Sequence, residues 1–133
     1  MSAKSKGISA ERELIHRFWQ TNTWTACRVA GSGSMKYPSP DILAQSESRQ
    51  LAIECKACKD DNQYFDAEEI EQLKQFATIA GCEAWVAVRF SREDWRFLPL
   101  EKIPTTKTNY VVSRVFAREQ GLQFDSLAQT KHL

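Results

Sequence analysis

The sequence predicts an α/β fold: one domain with a central mixed β-sheet and helices packed against it. Three observations lead there. Apolar residues recur at helical spacing over residues 8–22 and 66–80. Short runs around them alternate or stay apolar, as strands do. The resulting order, α-β-β-β-α-β-β, suits a sheet with helices laid on it, and a length of 133 residues fits a single core.

Ser9 can cap the first helix, Glu11, Arg12 and Glu13 occupy its first turns, and Leu14, Ile15, Phe18 and Trp19 form its apolar stripe. Residues 25–30 read as a short strand. Gly31-Ser32-Gly33-Ser34 is a flexible loop, which Pro38-Ser39-Pro40 ends in an extended conformation. Strands at residues 41–45 and 50–56 make a hairpin across a polar turn. Residues 58–63 read as loop. A second helix runs from about Asp66 to Ala80, with Ile70, Leu73, Phe76, Ala77 and Ala80 on one face and Gly81 as its stop. Glu83 to Phe90 is a nearly continuous apolar strand, paired through the turn at 91–94 with Trp95 to Leu98. Pro99 and Pro104 bracket a turn, Tyr110 to Val112 suit a strand, and the stretch after Gly121 suits a helix.

Composition narrows the function. Hydrophobic residues at 42% and charged residues at 26% argue against a disordered chain. Eighteen basic and 17 acidic residues exclude a polycationic DNA wrapper but not a locally basic face. With no apolar run of membrane length and no signal-like start, the chain is expected in the reducing cytoplasm, away from membranes. Cys27, Cys55, Cys58 and Cys82 lack a disulfide-framework spacing. His16 and His132 are not placed to complete a zinc site with Cys55-x-x-Cys58, so the cysteines are expected to be small buried thiols.

The most informative feature is Pro40-Asp41 followed by Ile53-Glu54-Cys55-Lys56. Alternation along a strand puts Glu54 and Lys56 on one face and Ile53 and Cys55 on the other, and the hairpin can bring Asp41 beside Glu54. Lys56 could simply neutralise Glu54 on a solvated face. Glu11 adds a third acid. It precedes Leu14, Ile15 and Phe18 at helical spacing and so faces the sheet, although an acid in a first turn can also serve the helix itself. Three oxygen donors without a histidine or thiolate cluster suit a hard cation, Mg²⁺ or Mn²⁺, and phosphodiester hydrolysis. Lys56 would orient or deprotonate a water, or contact the phosphate.

These residues resemble the archaeal Holliday junction resolvases, nucleases with an Asp…Glu-x-Lys core. The resemblance covers about residues 5–103. It runs through Lys6-Gly7-Ile8-Ser9-Ala10-Glu11-Arg12-Glu13-Leu14, Arg28-Val29-Ala30-Gly31-Ser32, Pro40-Asp41-Ile42-Leu43-Ala44, Ile53-Glu54-Cys55-Lys56, Phe76-Ala77 and Trp95-Arg96-Phe97. It implies a restriction-endonuclease-like nuclease fold with one nuclease domain over residues 1–133, its core at about 7–103 and the segment 105–133 unmatched. It further implies that Glu11, Asp41 and Glu54 bind Mg²⁺, with Mn²⁺ as substitute, that Lys56 is catalytic, and that no small-molecule cofactor is needed. Arg12, Arg28, Ser32 and Ser34 would sit against the DNA backbone. A homodimer would place paired symmetric nicks in a four-way junction during recombination and repair.

Residues 1–36 carry Lys4, Lys6, Arg12, Arg17, Arg28 and Lys36 against Glu11 and Glu13, which suits a phosphate-binding surface, although apart from Arg12 and Arg28 any one of them could equally belong to a solvated helix face. Asp60 to Glu71 has six acids and no basic residue, so that face is expected to avoid DNA. Trp19, Trp85, Trp95 and Phe97 are expected in the core or at a subunit interface. Two rival readings remain: a restriction-type or repair nuclease on duplex or flap DNA, and a non-catalytic DNA-binding module.

Overall fold

A computed structural model describes residues 3–29 and 37–129, with side chains from residue 8 onward. Strands β1 (Trp24–Arg28), β2 (Ile42–Ser46), β3 (Gln50–Cys58), β5 (Glu83–Phe90) and β6 (Arg96–Pro99) form a five-stranded sheet in the order β1-β2-β3-β5-β6. β3 and β5 run parallel, and the other pairs are antiparallel. The parallel pair needs a crossover, which α2 (Ala67–Ala80) supplies. A second sheet pairs β4 (Asn62–Asp66) with β7 (Asn109–Ser113).

The two faces of the main sheet carry separate cores. On one, Leu14 and Phe18 of α1 (Ala3–Gln20) pack on Trp24, Ala26, Ile42, Leu51, Ile53, Ala87 and Phe97. Phe124 and Leu127 of α4 (Phe124–Leu127) close that cluster. On the other face, Ile70 and Leu73 of α2 meet Ala52, Val86, Val88, Phe65 and Val112. Alternation along β3 decides which residue goes where: Leu51 and Ile53 face α1, and Ala52 faces α2. Buried Arg49 pins residues 127–129 to the sheet. It donates to both carboxylate oxygens of Glu83 at 2.8 Å, to the Leu127 carbonyl at 2.6 Å and to the Gln129 carbonyl at 2.8 Å.

Several expectations are corrected. α1 begins at Ala3, so Ser9 lies inside the helix and cannot cap it. Ala3, Lys4 and Lys6 are good helix formers, and the helix continues back through Gly7 because one glycine costs only about 1 kcal/mol. Residues 62 and 63, read as the end of a loop, begin β4, which runs on to Asp66, the expected helix start. Its Asn-Gln start hides Phe65, which is fully buried once β7 pairs alongside. A further helix, α3 (Arg114–Gln120), starts where the Ser113 side chain accepts the Phe116 N–H. Trp19 is 53% exposed, with its indole N–H donated to the Ala26 carbonyl, whereas Trp85, Trp95 and Phe97 are buried. One step round the helix from Phe18 takes Trp19 off the buried stripe. The cysteines are free as expected but not deeply buried: Cys27 is exposed and the other three are half-buried.

The second helix and the strand after it fall where the pattern put them. α2 ends at Gly81, whose φ of 75° suits glycine and whose N–H reaches the Ala77 carbonyl. β5 spans Glu83 to Phe90, and β7 includes Tyr110 to Val112.

Candidate active site

The site lies where β2 stops and β3 runs on. β2 pairs with residues 50–53 of β3, whereas β5 pairs with residues 51–58. Asp41 stands at that break. Its N–H donates to the Ile53 carbonyl at 3.0 Å, its own carbonyl accepts the Val29 N–H at 2.9 Å, and its Oδ2 accepts the Cys55 N–H at 2.8 Å. The carboxylate therefore takes the ladder position that a next β2 carbonyl would fill. Both main chain and side chain of Asp41 are fixed by β1 and β3, so its direction is set before any ligand arrives.

Glu54 and Lys56 follow Ala52 toward α2, and Cys55 follows Ile53 toward α1. Glu11 reaches the notch from the α1 side, with only 13% of its side chain exposed. Glu11 and Glu54 thus approach from opposite faces of the sheet and are linked through Asp41, rather than all four side chains sharing one face. Cys55, expected to point away from the acids, points toward Glu11. Ligand atoms of Glu11, Asp41 and Cys55 all lie within 4.8 Å of one another.

The electrostatics reflect three acids crowded around few cations. Burial pushes the Glu54 carboxyl up to about 10, helped by a hydrogen bond with Asp41 and by the charges of Asp41 and Glu69, against the opposing pull of Lys56. Burial also raises Glu11, as does the Asp41 charge, and Arg28 offsets part of this. Arg28 Nε stands 3.7 Å from Glu11 Oε2, too far for a hydrogen bond, and is buried without a hydrogen-bond partner. Carboxyls raised by burial and by the Asp41 charge fit a divalent cation, which would favour their ionised forms. The donor set is thus suited to a metal ion.

Lys56 differs from the simple expectation that it neutralises Glu54. Its Nζ forms an ion pair with Glu69 Oε2 at 3.1 Å and lies 5.9 Å from the centroid of the Phe65 ring. In the sequence, Glu69 reads only as part of an acidic face. Its place in the first turn of α2, where acids are favoured, concealed a second partner on the strand beneath the helix. Arg12 is exposed on α1. Arg17, counted toward the phosphate surface, is engaged by Asp94 at 2.8 Å and covers the Phe124 ring at 4.6 Å. Ser32, Ser34, Lys36 and the Lys6 side chain lie outside the described residues.

A mixed sheet flanked by helices, with acids gathered where two strands part, defines a metal-dependent nuclease class. The model of the archaeal Holliday junction resolvase family (Hjc) matches residues 2–133. A crossover junction endodeoxyribonuclease Hjc of Archaeoglobus fulgidus is 42% identical over 109 residues, covering 82% of this chain and 79% of its own. The Hjc of Sulfolobus acidocaldarius is 30% identical over 131 residues, covering 97% and 90%. The solved Archaeoglobus fulgidus Hjc structure superposes with a TM-score of 0.86 at 36% identity, over 92% of this chain and all of that one. A bacterial homing endonuclease, at 17% identity and a TM-score of 0.51 over 84% of this chain and 75% of that one, shares the fold alone. The chain belongs to the archaeal Holliday junction resolvase family.

Proposed function

We propose that this chain is a Mg²⁺-dependent crossover junction endonuclease that hydrolyses phosphodiester bonds in four-way DNA junctions, with Mn²⁺ able to replace Mg²⁺, and that it works in the cytoplasm on nucleoid DNA. The observation that carries the reading is the Asp41 carboxylate, locked to the Cys55 N–H, hydrogen-bonded with Glu54 and close to Glu11. Glu11, Asp41 and Glu54 would hold the ion. Bound there, a hard divalent cation supplies Lewis acidity at a phosphate oxygen and lowers the pKa of a water near it. Lys56, steadied by Glu69, presents an ammonium beside Glu54 that can donate to a phosphate oxygen or orient the water. Arg12 and Arg28, with Lys6, Lys36, Ser32 and Ser34, would bind the DNA backbone. Such contacts are blind to sequence, so junction shape selects the substrate.

The working unit would be a homodimer. Four-way junctions have approximate two-fold symmetry, so two equivalent sites can cut two equivalent strands. An apolar cleft of about 370 Å³, lined in part by Leu43, Leu51, Phe76, Ala80 and Trp19, supports a surface for the second copy. The whole chain of residues 1–133 would act as one nuclease domain.

The test compares an immobile four-way junction with linear duplex of the same sequences, both with Mg²⁺. Paired symmetric nicks in the junction alone are expected. Equal cutting of both substrates would move the chain to a general nuclease, and binding without cutting would leave a DNA-binding module. Junction affinity should also fall steeply as salt rises, through release of phosphate counterions.

A further inference from the structure

Glu11, Asp41 and Cys55 come from α1, the entry to β2, and β3, yet their ligand atoms lie within 4.8 Å of one another. A tetrahedral ion of the zinc class, with bonds of about 2.0–2.3 Å, needs ligand atoms roughly 3.3–3.7 Å apart. Small side-chain rotations would close the set to that spacing. One contact favours this closure. The bond from the Cys55 N–H to Asp41 Oδ2 fixes the carboxylate beside the Cys55 side chain. Glu11 is ion-paired with Arg28 at 3.7 Å, a long contact that a cation bound at Glu11 would replace.

The notch thus offers two ligand sets. Glu11, Asp41 and Glu54 present oxygen alone, which suits Mg²⁺ and Mn²⁺. Glu11, Asp41 and Cys55 present two oxygens and a sulfur, and thiolate sulfur selects softer ions. We propose that Cys55 makes this site take a thiophilic divalent cation of the zinc class, held by Glu11, Asp41 and Cys55, in competition with the hard catalytic ion. On binding, the Cys55 S–H bond breaks, its proton passes to solvent, and a sulfur–metal bond forms with no change of oxidation state. Because two carboxylates are shared, an ion in this mode stops cleavage. The inference rests on the nuclease reading for that consequence, but not for binding itself.

Cadmium is the probe for binding, since a cadmium–thiolate bond absorbs in the ultraviolet through charge transfer. Titrating Cd²⁺ into the metal-free protein should produce a saturable band. Cys55→Ser and Cys55→Ala should each remove it, and Asp41→Asn should weaken the affinity by roughly tenfold or more. Circular dichroism establishes that each variant is folded, and the two Cys55 variants serve as checks on one another. In parallel, Zn²⁺ is added to Mg²⁺-supported junction cleavage, with each protein scaled to its own Mg²⁺ rate. The Cys55 variants should need roughly tenfold more Zn²⁺ for half-inhibition. A full band in both Cys55 variants, which would come from Cys27, Cys58 or Cys82, overturns the proposal. Equal sensitivity to Zn²⁺ in all three proteins does so too. A Cys55-dependent band in a protein that shows no Mg²⁺ cleavage would support the ion site and remove the nuclease reading instead.

Discussion

Asp41 holds the site together at the scale of single residues. It has a main-chain bond to each flanking strand, a carboxylate bond to Cys55 N–H and a hydrogen bond with Glu54. Replacing it with asparagine keeps the size and the ability to accept from Cys55 N–H but removes the charge. Asp41→Asn is therefore expected to fold and to bind junction DNA while losing cleavage by about 10²-fold or more, as measured in single-turnover reactions with Mg²⁺. Wild-type cleavage by this variant would remove Asp41 from the proposed ligand set. The proximity of Asp41 to Glu54 was legible in the sequence because hairpin register and strand alternation are local rules. That Cys55 turns toward Glu11 was not. Alternation tells which residues share a face, but not which helix covers that face, and α1 reaches it from more than 30 residues away in sequence.

Helix α2 carries more than the crossover at the scale of elements. Its first turn supplies Glu69 to Lys56 at 3.1 Å, and β4, just before it, supplies the Phe65 ring near the same ammonium. Glu69→Ala should lower kcat several-fold with little change in junction affinity, and Glu69→Asp should recover part of the loss, because a carboxylate one methylene shorter can still reach a flexible lysine. A drop in affinity with kcat intact would make Glu69 a DNA-facing residue instead. Neither Glu69 nor β4 was legible as part of the site, since the pairing of β4 with β7 spans almost 50 residues and leaves no local periodicity. The docking of α3 depends on charge. Arg114 bridges Asp61 at 3.0 Å and Glu93 at 2.7 Å, and Arg118 also bonds Glu93. Hydrogen bonds from Arg118 and Arg114 hold the Glu93 carboxyl below its usual range. Asp94 is held low as well: burial would raise it, but the Trp95 N–H and Arg17 outweigh burial. A carboxyl with a depressed folded pKa stabilises the fold above its unfolded pKa, and that stability is lost as pH falls through the lower folded value. Thermal unfolding midpoints should accordingly drop as pH falls below about 4.5. Glu93→Gln should flatten that dependence, and an unchanged acid slope would mean that other carboxyls set it.

For the whole molecule, the uneven cover of the sheet has a consequence. α1 covers one face across β1, β2 and β3 and α4 lies against β6, whereas α2 covers the other face mainly over β3 and β5. That leaves Leu43 half-buried, Cys27 exposed and Phe76 half-buried beside the open part of the face, with Trp19 at the rim; Ile79 of α2, next in sequence to the cleft-lining Ala80, is 79% exposed. An apolar strip of this kind costs free energy in water and gains it against a second copy. Ile79 makes the best probe because its side chain lies outside the core, so a charge there has little to disturb in the monomer. If this face joins two copies, Ile79→Glu places one carboxylate per chain at an apolar contact, and two-fold symmetry brings both into the same interface. Sedimentation should then show the variant shifted to monomer at concentrations where the wild type is dimeric, with circular dichroism unchanged. The active-site notch lies at the other end of β2 from the turn at 47–49, and its residues do not include Ile79, so each monomer keeps its own acids. The expected signature is therefore not a dead enzyme but a change in pattern. Nicks on opposed strands become uncoupled and appear singly, and the second nick trails the first in a time course on a supercoiled cruciform. A variant that remains dimeric and still nicks both strands together would move the subunit interface to another face.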